Sequence, residues 1–483
     1  MAKYVAGALV ALTVGVVLLY AANEPFEYDE AVYLGIVREI GRTSCPIRPT
    51  LDPHLYGNNP PAVLYLAALA RALGIGTLGG ARAVHVVLWG LTGVLATYGC
   101  ARSLFGARAG LAALALLLTQ SAFLREAAIV KFDTPLATIA VALVWAVQSK
   151  HRRALLIATA LAALATFARY QGALLGPTIA ATLFLGGRRR DALWIFAGAV
   201  TGGLLWVGLA EVCDGDLLTA VRTNLGRVSG ISAEPWFHHG MLEYWGDVAR
   251  ALGAPLLVGV ALLLLARRRQ LLGDANLHLT LMWPLVTLVF CSSIALKAER
   301  YFFPAIPLLV VAVSSLAQHI PAKLHRAFAA GMVTVGVTAA AGQALLIERS
   351  ELTDDFATLG ALAAEKTPPG RALVTAQAQV AYFADRPYFV ALFEPSPARV
   401  RAVLDDPRVC TLAWDTRTLL LHPSIPPTEK QALLSLIEPR FAALRAKPPE
   451  AAVWTRCTRG PLLSWNSSPS RKSHPGPASN IRR

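Results

Sequence analysis

Residues 4–33 of the chain read YVAGALVALTVGVVLLYAANEPFEYDEAVY. Residues 4–22 carry no charge, and about 20 apolar residues let a helix cross the ~30 Å hydrocarbon core of a bilayer. The run is longer than the apolar core of a signal peptide, so we expect an uncleaved anchor. Asp29 and Glu30 then open a short amphipathic segment that extends to about Ile40. The stretch predicts a membrane-spanning helix followed directly by an acidic helix at the membrane surface.

The composition extends this character to the rest of the chain. Of 483 residues, 55% are apolar and 16% are charged, whereas roughly a quarter of the residues in a soluble domain are charged. The net charge of +15 lies in short Arg and Lys clusters between apolar runs, which favours a multi-pass membrane protein over a nucleic-acid-binding protein. The six cysteines form no CxxC motif and have no histidine at metal-ligand spacing, which excludes a zinc ribbon and a thioredoxin-like motif.

Twelve apolar runs are candidate membrane spans. They cover residues 4–22, 60–78, 82–104, 107–124, 133–149, 153–168, 171–187, 191–212, 248–266, 276–296, 301–319 and 325–347. Basic clusters follow every second run from residue 82 onward, so all of them can lie in the cytoplasm. They are Arg102 with Arg108, Lys150 to Arg153, Arg188 to Arg190, Arg267 to Arg269, and Lys323 to Arg326.

This topology requires that one run before residue 82 does not cross the membrane. Run 60–78 begins at Pro60 and Pro61, contains Arg71 and ends among glycines, so we predict a membrane-hugging or re-entrant helix. The alternative, in which this run spans, would put all five basic clusters outside. We therefore expect about eleven transmembrane helices, with the amino terminus inside and everything after residue 347 outside.

The soluble part of the chain is predicted to lie on the outer face. Residues 1–347 form the transmembrane domain, whose first outer loop is 23–81. Residues 348–460 are expected to form a small α/β domain, because strand-like stretches at 371–375, 388–393 and 410–414 alternate with helical ones such as 429–436. Residues 461–483 lack apolar periodicity and are expected to be disordered. Cys410 and Cys457 fall in the outer domain, either as a disulfide or as two free thiols.

Acidic residues at the edge of a membrane are costly and therefore indicate a functional site. Asp29 with Glu30 forms one such site, and Asp133, at the start of a predicted span, forms another. A helix cap is the alternative for each, because Asp is a favoured N-cap residue and Glu suits a first helical turn. Five cations map to the same edge, and each by itself is also explained by snorkelling to lipid headgroups. They are Arg125, Lys131, Arg169, Lys297 and Arg300.

In their order along the chain, these segments resemble the GT-C membrane glycosyltransferases, which include the protein O-mannosyltransferases and the aminoarabinose transferase of lipid A. The matching segments are Tyr28 to Tyr33, Asn59-Pro60-Pro61 with Leu64-Tyr65, Gly80-Ala81-Arg82, Lys131 to Leu136, and Ala298 to Pro307. The resemblance covers residues 1 to about 320. The fold class that it implies is a polytopic α-helical membrane protein of GT-C type, with the small α/β domain on the outer face.

The resemblance implies an inverting transfer of a sugar from a polyprenyl-phosphate donor to a hydroxyl acceptor, which is a lipid, a glycan or a protein. By position, Asp29 is expected to be the general base or to position the acceptor. Glu30 is expected to support it, and Asp133 to help bind the acceptor or the donor sugar. A carboxylate within hydrogen-bond reach can take the proton of the attacking hydroxyl.

The resemblance also implies a set of cations at the donor phosphate, where positive charge would stabilise the departing group. They are Lys131, Arg169, Lys297 and Arg300. Many relatives of the aminoarabinose transferase have Lys before the proline that Pro60 matches, but this chain has Asn59. Another cation, such as Arg169, Lys297 or Arg300, is therefore expected to take that role.

Two other classes compete with this interpretation. A transporter or flippase would also have charges within the membrane and broken helices, but we find no paired broken segments in two halves. A scaffold anchored by its spans would not need eleven of them. We predict no metal cofactor, although outer carboxylates are of the type that binds Mg²⁺ or Mn²⁺. High Ala and Arg content with a short basic start fits a bacterial inner membrane, and the predicted topology then places the C-terminal domain in the periplasm.

Overall fold

The computed structural model describes residues 2–56, 59–149, 152–216, 240–267, 273–294, 299–321, 351–375, 377–390, 397–415 and 451–455, with a few isolated positions between them. Apart from such positions, the predicted span 325–347, the helical stretch 429–436 and the tail 461–483 lie outside the described residues.

Helices form most of the described chain. They are α1 (Ala2–Asn23), α2 (Tyr28–Thr43), α3 (Ala62–Ala72), α4 (Leu78–His85), α5 (Thr92–Leu118), α6 (Ser121–Glu126), α7 (Asp133–Gln148), α8 (Arg152–Ala168), α9 (Gly172–Leu185), α10 (Arg189–Asp214), α11 (Met241–Ala266), α12 (Ala275–Ser293) and α13 (Ile306–Ser314). A π-helical turn, Val86–Leu91, joins α4 to α5. Two 3₁₀ turns, Glu299–Ala305 and Ser315–Gln318, flank α13.

The helices are those of a polytopic membrane protein. Among the described residues, six helical segments are long and apolar enough to cross a bilayer. They are Tyr4–Asn23, Leu78–Leu118, Arg189–Asp214, Met241–Ala266, Ala275–Ser293 and Arg300–Gln318. Four shorter apolar helices accompany them: Ala62–Ala72, Asp133–Gln148, Arg153–Ala168 and Gly172–Leu185. The number of eleven spans and their orientation stay predictions.

Two helix boundaries bear on the predicted topology. Gly106, at φ +85°, interrupts the helical geometry of α5 between the predicted runs 82–104 and 107–124. α3 has 11 residues, which at 1.5 Å per residue gives about 16 Å, roughly half of a hydrocarbon core. A helix of this length does not cross a bilayer alone.

Small residues allow the central helices to pack closely. Gly198 and Gly202 of α10 lie directly against the backbone of α8, and a Cβ at either position would overlap the carbonyl oxygen of Thr159 or Ala163. Without side chains at the contact, the two backbones approach closely enough for extensive van der Waals contact, which is the main attraction between helices in lipid. α8 and α10 thereby pack closely against each other.

The segment between α1 and α3, residues 24–61, is here named the first loop. It contains α2 and a short antiparallel hairpin of β1 (Ile47–Arg48) and β2 (His54–Leu55). Every residue of α2 from Glu30 to Val37 is buried, so about two turns of this helix are enclosed on all sides, and Ile40 is buried one turn later. The helix becomes exposed only toward its C-terminal end, from Gly41 onward.

In the described residues of the C-terminal part, four strands form a mixed sheet with helices against it. Its helices are α14 (Glu351–Lys366), α15 (Ala378–Ala384) and α16 (Pro397–Asp405), and its strands are β3 (Ala372–Thr375), β4 (Tyr388–Val390), β5 (Val409–Asp415) and β6 (Ala451–Thr455). The strand order is β4-β3-β5-β6, with β3 parallel to both neighbours and β5 antiparallel to β6. β3, β4 and β5 begin close to the predicted strand-like stretches, whereas β6 was not predicted. The proposed domain limits, 348 and 460, stay predictions.

This α/β unit docks on the first loop. Tyr388 of β4 forms a bridge with Thr50, and its carbonyl accepts a hydrogen bond from the Leu51 backbone at 2.8 Å. Two arginines of α2, Arg38 and Arg42, pair with Asp385 at 2.6 and 2.9 Å. Among the described residues, the first loop contacts both the helices and the sheet, and it thereby holds the two parts together.

Candidate active site

Asp29 lies in the first turn of α2 and pairs with Arg300 at the start of the 3₁₀ turn Glu299–Ala305. The Arg300 guanidinium donates a hydrogen bond to Asp29 Oδ2 at 2.5 Å. About a quarter of the Asp29 side chain is exposed, 27%. The N-cap position of α2 belongs to Glu27, so Asp29 is not the cap residue that the alternative interpretation required. An accessible carboxylate held by a guanidinium is available to a substrate.

Asp133 forms a second ion pair, with Arg169. Asp133 is the first residue of α7, after the N-cap Phe132, and Arg169 follows the end of α8. Both side chains are almost completely buried, at 6% and 4% exposed. Asp133 Oδ1 and Arg169 Nη1 meet as an ion pair but out of hydrogen-bond geometry, and Arg169 Nε has no hydrogen-bond partner within the described residues. Buried polar groups without hydrogen bonds are rare in proteins, so this pair is a candidate contact for a polar ligand.

The two ion pairs adjoin. Arg300 interacts electrostatically with Asp133 as well as with Asp29, and the Arg169 guanidinium lies 5.5 Å from the ring centre of Tyr301, the neighbour of Arg300. The structure thus brings together Asp29, Asp133, Arg169 and Arg300, which the sequence predicted to share a site. Two carboxylates and two guanidiniums in one cluster can serve both a proton transfer and an anionic group.

Aromatic residues border this cluster. Tyr33, one turn after Asp29, lies edge-on to Phe132 at 4.7 Å and to Tyr56 at 6.0 Å between ring centres. Burial raises the pKa of Tyr33 well above its usual range, and Asp29 and Tyr56 add to the rise. The hydroxyl of Tyr33 therefore stays neutral and can act as a hydrogen-bond donor near Asp29.

Glu30 differs sharply from its neighbour Asp29, because its side chain is fully buried. Its two oxygens accept a pair of hydrogen bonds from Arg82 at 2.9 and 2.6 Å, and one of them also accepts the Val130 backbone N–H at 3.1 Å. Arg82 in turn donates to the backbone carbonyls of Ala21, Glu24 and Pro25. Glu30 thus connects α1, α2, α4 and the chain before α7, and both of its carboxylate oxygens are occupied by protein donors.

Lys131 and Arg125 are each balanced by acids. Lys131 is buried and its Nζ lies 2.6 Å from Glu27 and 3.0 Å from Glu126. Burial opposes its charge, but Glu126 and Glu27 raise its pKa above the usual value. Arg125 donates two hydrogen bonds to Glu24. Of the other predicted phosphate ligands, Arg169 and Arg300 lie in the cluster, and Lys297 lies outside the described residues.

Sequence reasoning missed Arg48, which belongs to a polar group beside this cluster. Asn59 donates to the Tyr56 hydroxyl at 3.3 Å, and Arg48, on β1, interacts electrostatically with Tyr56 and donates to Tyr28 at 3.2 Å. Arg48 belongs to a strand of only two residues, which is too short for an alternating pattern to be recognised. The hairpin that presents Arg48 could therefore not be predicted from its sequence.

A disulfide between Cys45 and Cys213 was also missed. It ties the first loop, just after α2, to the end of α10. Cys410 is disulfide-bonded as well, which answers for that residue the question that the sequence left open. Cys457 lies outside the described residues, and Cys100 and Cys291 are free and buried.

Metal ligands are not grouped in the described part of the chain, where no set of three or more His, Cys, Asp or Glu residues is arranged to hold an ion. Asp29 and Asp133 nevertheless supply carboxylate oxygens, the ligand type that divalent cations such as Mg²⁺ prefer. The absence of a metal requirement stays a prediction.

Comparison with known proteins relates part of the chain to a protein family. Residues 58–208 match the family model of dolichyl-phosphate-mannose-protein mannosyltransferases. No curated protein sequence matches the chain.

Solved structures match nearly its whole length. ArnT from Cupriavidus metallidurans, bound to undecaprenyl phosphate, superposes with a TM-score of 0.64 at 16% identity, covering 87% of this chain and 95% of that one. The oligosaccharyltransferase of Archaeoglobus fulgidus, tethered with an acceptor peptide, gives 0.59 at 13% identity, over 90% of this chain and 71% of that one. The same enzyme with zinc and sulfate gives 0.56 at 13% identity, over 85% and 68%. This chain therefore has the fold of ArnT and of the oligosaccharyltransferase, which confirms the GT-C fold class that the resemblance implied.

Proposed function

We propose that the protein is an inverting glycosyltransferase that moves a sugar from a polyprenyl-phosphate donor to a hydroxyl acceptor on a lipid, a glycan or a protein. The observation that carries this proposal is the cluster in which Asp29–Arg300 and Asp133–Arg169 adjoin. The fold and the family match over residues 58–208 support it, and so does the undecaprenyl phosphate bound by ArnT, a protein of the same fold.

Each member of the cluster has a role in this reaction. Asp29, accessible and at the start of α2, takes the proton of the acceptor hydroxyl as that oxygen attacks the anomeric carbon. Arg300, which pairs with Asp29, stabilises the phosphate that departs from the opposite face. When the phosphate draws the guanidinium toward itself, Asp29 loses part of its compensation and becomes a stronger base.

The second pair holds the sugar or the acceptor. Asp133 Oδ1 and Arg169 Nε are buried without hydrogen-bond partners among the described residues, and sugar hydroxyls both donate and accept hydrogen bonds. Glu30 does not contact the substrate and instead fixes the start of α2 through Arg82.

The site faces the periplasm in this proposal. Cys45 lies in the first outer loop, 23–81, that the charge pattern predicted, and its disulfide partner Cys213 directly follows the predicted span 191–212. Disulfides persist in oxidising compartments, so the bond supports a periplasmic first loop. The C-terminal α/β unit, which docks on that loop, would lie on the same side of an inner membrane.

The proposal is tested by glycosyl transfer from a radiolabelled polyprenyl-phosphate sugar, with purified protein in lipid. We expect Asp29→Asn to reduce transfer by about 10²- to 10⁴-fold, the usual contribution of a general base, and Asp133→Asn to raise the donor or acceptor KM. Asp216→Asn is the matched control, because it removes a carboxylate from an exposed ion pair with Arg222. Full activity of Asp29→Asn would contradict the assignment of the base. Wild-type protein that moves a lipid-linked substrate across vesicles but transfers no sugar would support a flippase instead.

A further inference from the structure

The charges around the candidate active site are unequally compensated. Five cations in or next to it pair with carboxylates among the described residues: Arg82 with Glu30, Arg125 with Glu24, Lys131 with Glu27, Arg169 with Asp133, and Arg300 with Asp29. Arg48 has no such partner in the described part of the chain. Its contacts there are the hydroxyls of Tyr28, at 3.2 Å, and of Tyr388.

The Arg48 guanidinium also retains an unused donor. Its Nε is buried and has no hydrogen-bond partner among the described residues. A cation that buries a donor with neither an anion nor a full set of acceptors is costly. The cost disappears when an anionic ligand binds, since a guanidinium presents a planar fork of donors that matches the oxygens of a phosphate.

Polar groups around Arg48 extend the potential site. Tyr56, which interacts electrostatically with Arg48, accepts a hydrogen bond from Asn59. Asn59 is buried, and its Oδ1 atom has no partner within the described residues. An unused donor on Arg48 and an unused acceptor on Asn59 therefore flank one tyrosine, an arrangement suited to a ligand that carries both an anionic oxygen and a hydroxyl.

This group is continuous with the ion-pair cluster. Tyr28 immediately precedes Asp29 in α2. The ring centres of Tyr56 and Tyr33 are 6.0 Å apart. Tyr33 interacts electrostatically with Asp29 and Arg300. A phosphate held by Arg48 would thus lie on the side of the cluster that the first loop covers.

We propose that Arg48, with the hydroxyls of Tyr28 and Tyr388, binds the phosphate of a lipid-linked substrate. The identity of the lipid in this inference rests on the proposed function. The recognition of a phosphate by Arg48 is argued from the contacts of Arg48 alone. Because Tyr388 belongs to the α/β unit, the C-terminal part of the chain contributes directly to the substrate site. Arg48 is a binding residue here and takes no part in proton transfer.

The experiment measures equilibrium binding to the full-length protein in detergent, without turnover. The probes are undecaprenyl phosphate, undecaprenol, which lacks the phosphate, and inorganic phosphate. We expect Arg48→Gln to weaken binding of undecaprenyl phosphate by about 10- to 100-fold, the usual worth of a charge-assisted hydrogen-bond pair. Binding of undecaprenol should be weak and should not change. Arg48→Lys should restore part of the affinity, because it keeps the charge but not the fork.

The control variant is Arg71→Gln, which alters an exposed arginine of α3 whose hydrogen bond goes to the Gly76 carbonyl, and it should bind like wild type. A structural role for Arg48 would lower the unfolding temperature of Arg48→Gln without changing the preference of folded protein for undecaprenyl phosphate over undecaprenol. That result would overturn the proposal, as would wild-type binding by Arg48→Gln. Inorganic phosphate that binds as tightly as undecaprenyl phosphate would overturn the assignment to a lipid.

The outcomes separate this inference from the proposed function. Asp29→Asn, which should lose glycosyl transfer, should bind undecaprenyl phosphate no more weakly than wild type, because it removes a carboxylate that competes with the phosphate for Arg300. If wild-type protein transfers no sugar but still binds undecaprenyl phosphate through Arg48, the proposed function fails and the inference stands. If transfer occurs and Arg48→Gln binds the lipid normally, the inference fails and the proposed function stands.

Discussion

Asp29 and Arg300 are 271 positions apart in the chain, and the guanidinium of Arg300 donates a hydrogen bond to Asp29 Oδ2. The contact joins the first turn of α2 to the 3₁₀ turn before α13, so the loop that carries the proposed base is aligned against the membrane helices. A carboxylate in this position has two competing partners in the proposed reaction, the guanidinium and the acceptor hydroxyl. Its basicity therefore depends on what else Arg300 binds.

Replacement of Arg300 tests that dependence. We expect Arg300→Gln to reduce kcat by about 10²- to 10³-fold, the loss found when a group that stabilises developing charge is removed. The variant also removes the cation that competes with the acceptor hydroxyl for Asp29, and we expect this gain to be smaller than the loss. Arg300→Lys should retain part of the rate. The measurement is kcat and donor KM for each variant, with Arg71→Gln as the exposed control. A rate for Arg300→Gln equal to that of wild type would show that Arg300 only holds the loop.

The adjacent carboxylates Asp29 and Glu30 should respond differently to the same change. Glu30→Gln leaves the buried Arg82 without its counter-charge, and breaking a buried ion pair in this way costs about 3–5 kcal/mol of unfolding free energy. Asp29→Asn, at a partly exposed position, should cost much less. Thermal unfolding of the purified variants compares them, with Asp216→Asn as a control in the exposed pair with Arg222. Equal stability of Glu30→Gln and wild type would contradict the structural role of Glu30.

The disulfide between Cys45 and Cys213 should be detectable chemically. In protein denatured without reductant, a maleimide should label the free Cys100 and Cys291 but not Cys45 or Cys213, and reduction should expose both. Peptide mass spectrometry reads out each site. The double variant Cys45→Ala, Cys213→Ala should lose about 2–4 kcal/mol of unfolding free energy, because the bond restricts the unfolded chain. Labelling of Cys45 without reductant would contradict the bond.

Glu126 gives the protein a pH dependence below neutrality. Burial raises its pKa from 4.5 to about 6, Lys131 opposes the rise, and Glu27 adds to it. Since the folded state holds this proton more tightly than the unfolded chain, its contribution to stability is complete below the unfolded pKa and is lost as the pH rises through about 6.

The corresponding test compares unfolding temperatures at pH 4.5 and pH 7. We expect the change in unfolding temperature between the two pH values to be smaller in Glu126→Gln than in wild type. The variant should lose less stability than wild type when the pH is raised from 4.5 to 7. Glu365→Gln, an exposed glutamate of α14, serves as the control and should show the wild-type difference. A wild-type pH dependence in Glu126→Gln would mean that Glu126 is not the group that titrates.

Several features followed from the sequence because they depend on neighbouring residues. An uncharged run at 4–22 predicted α1, the acidic pair after it predicted the start of α2, and the break at Gly106 fell between two predicted runs. Three of the four strands of the α/β unit were located within two residues at their starts. Such features arise from hydropathy, helix periodicity and backbone conformation, all of which act over a few positions.

The partners of the charged residues were decided by the tertiary structure. The sequence placed Asp29, Asp133, Arg169 and Arg300 at one membrane edge, but it did not show that they form two adjoining ion pairs, or that Lys131 is held by Glu27 and Glu126. Nor did it show that Glu30 is buried beneath Arg82. Which charges meet depends on the order in which helices pack, and that order is set by contacts between residues tens to hundreds of positions apart. Local patterns therefore determined where the helices and strands that carry the functional groups begin. Long-range packing determined which carboxylate remains accessible for chemistry.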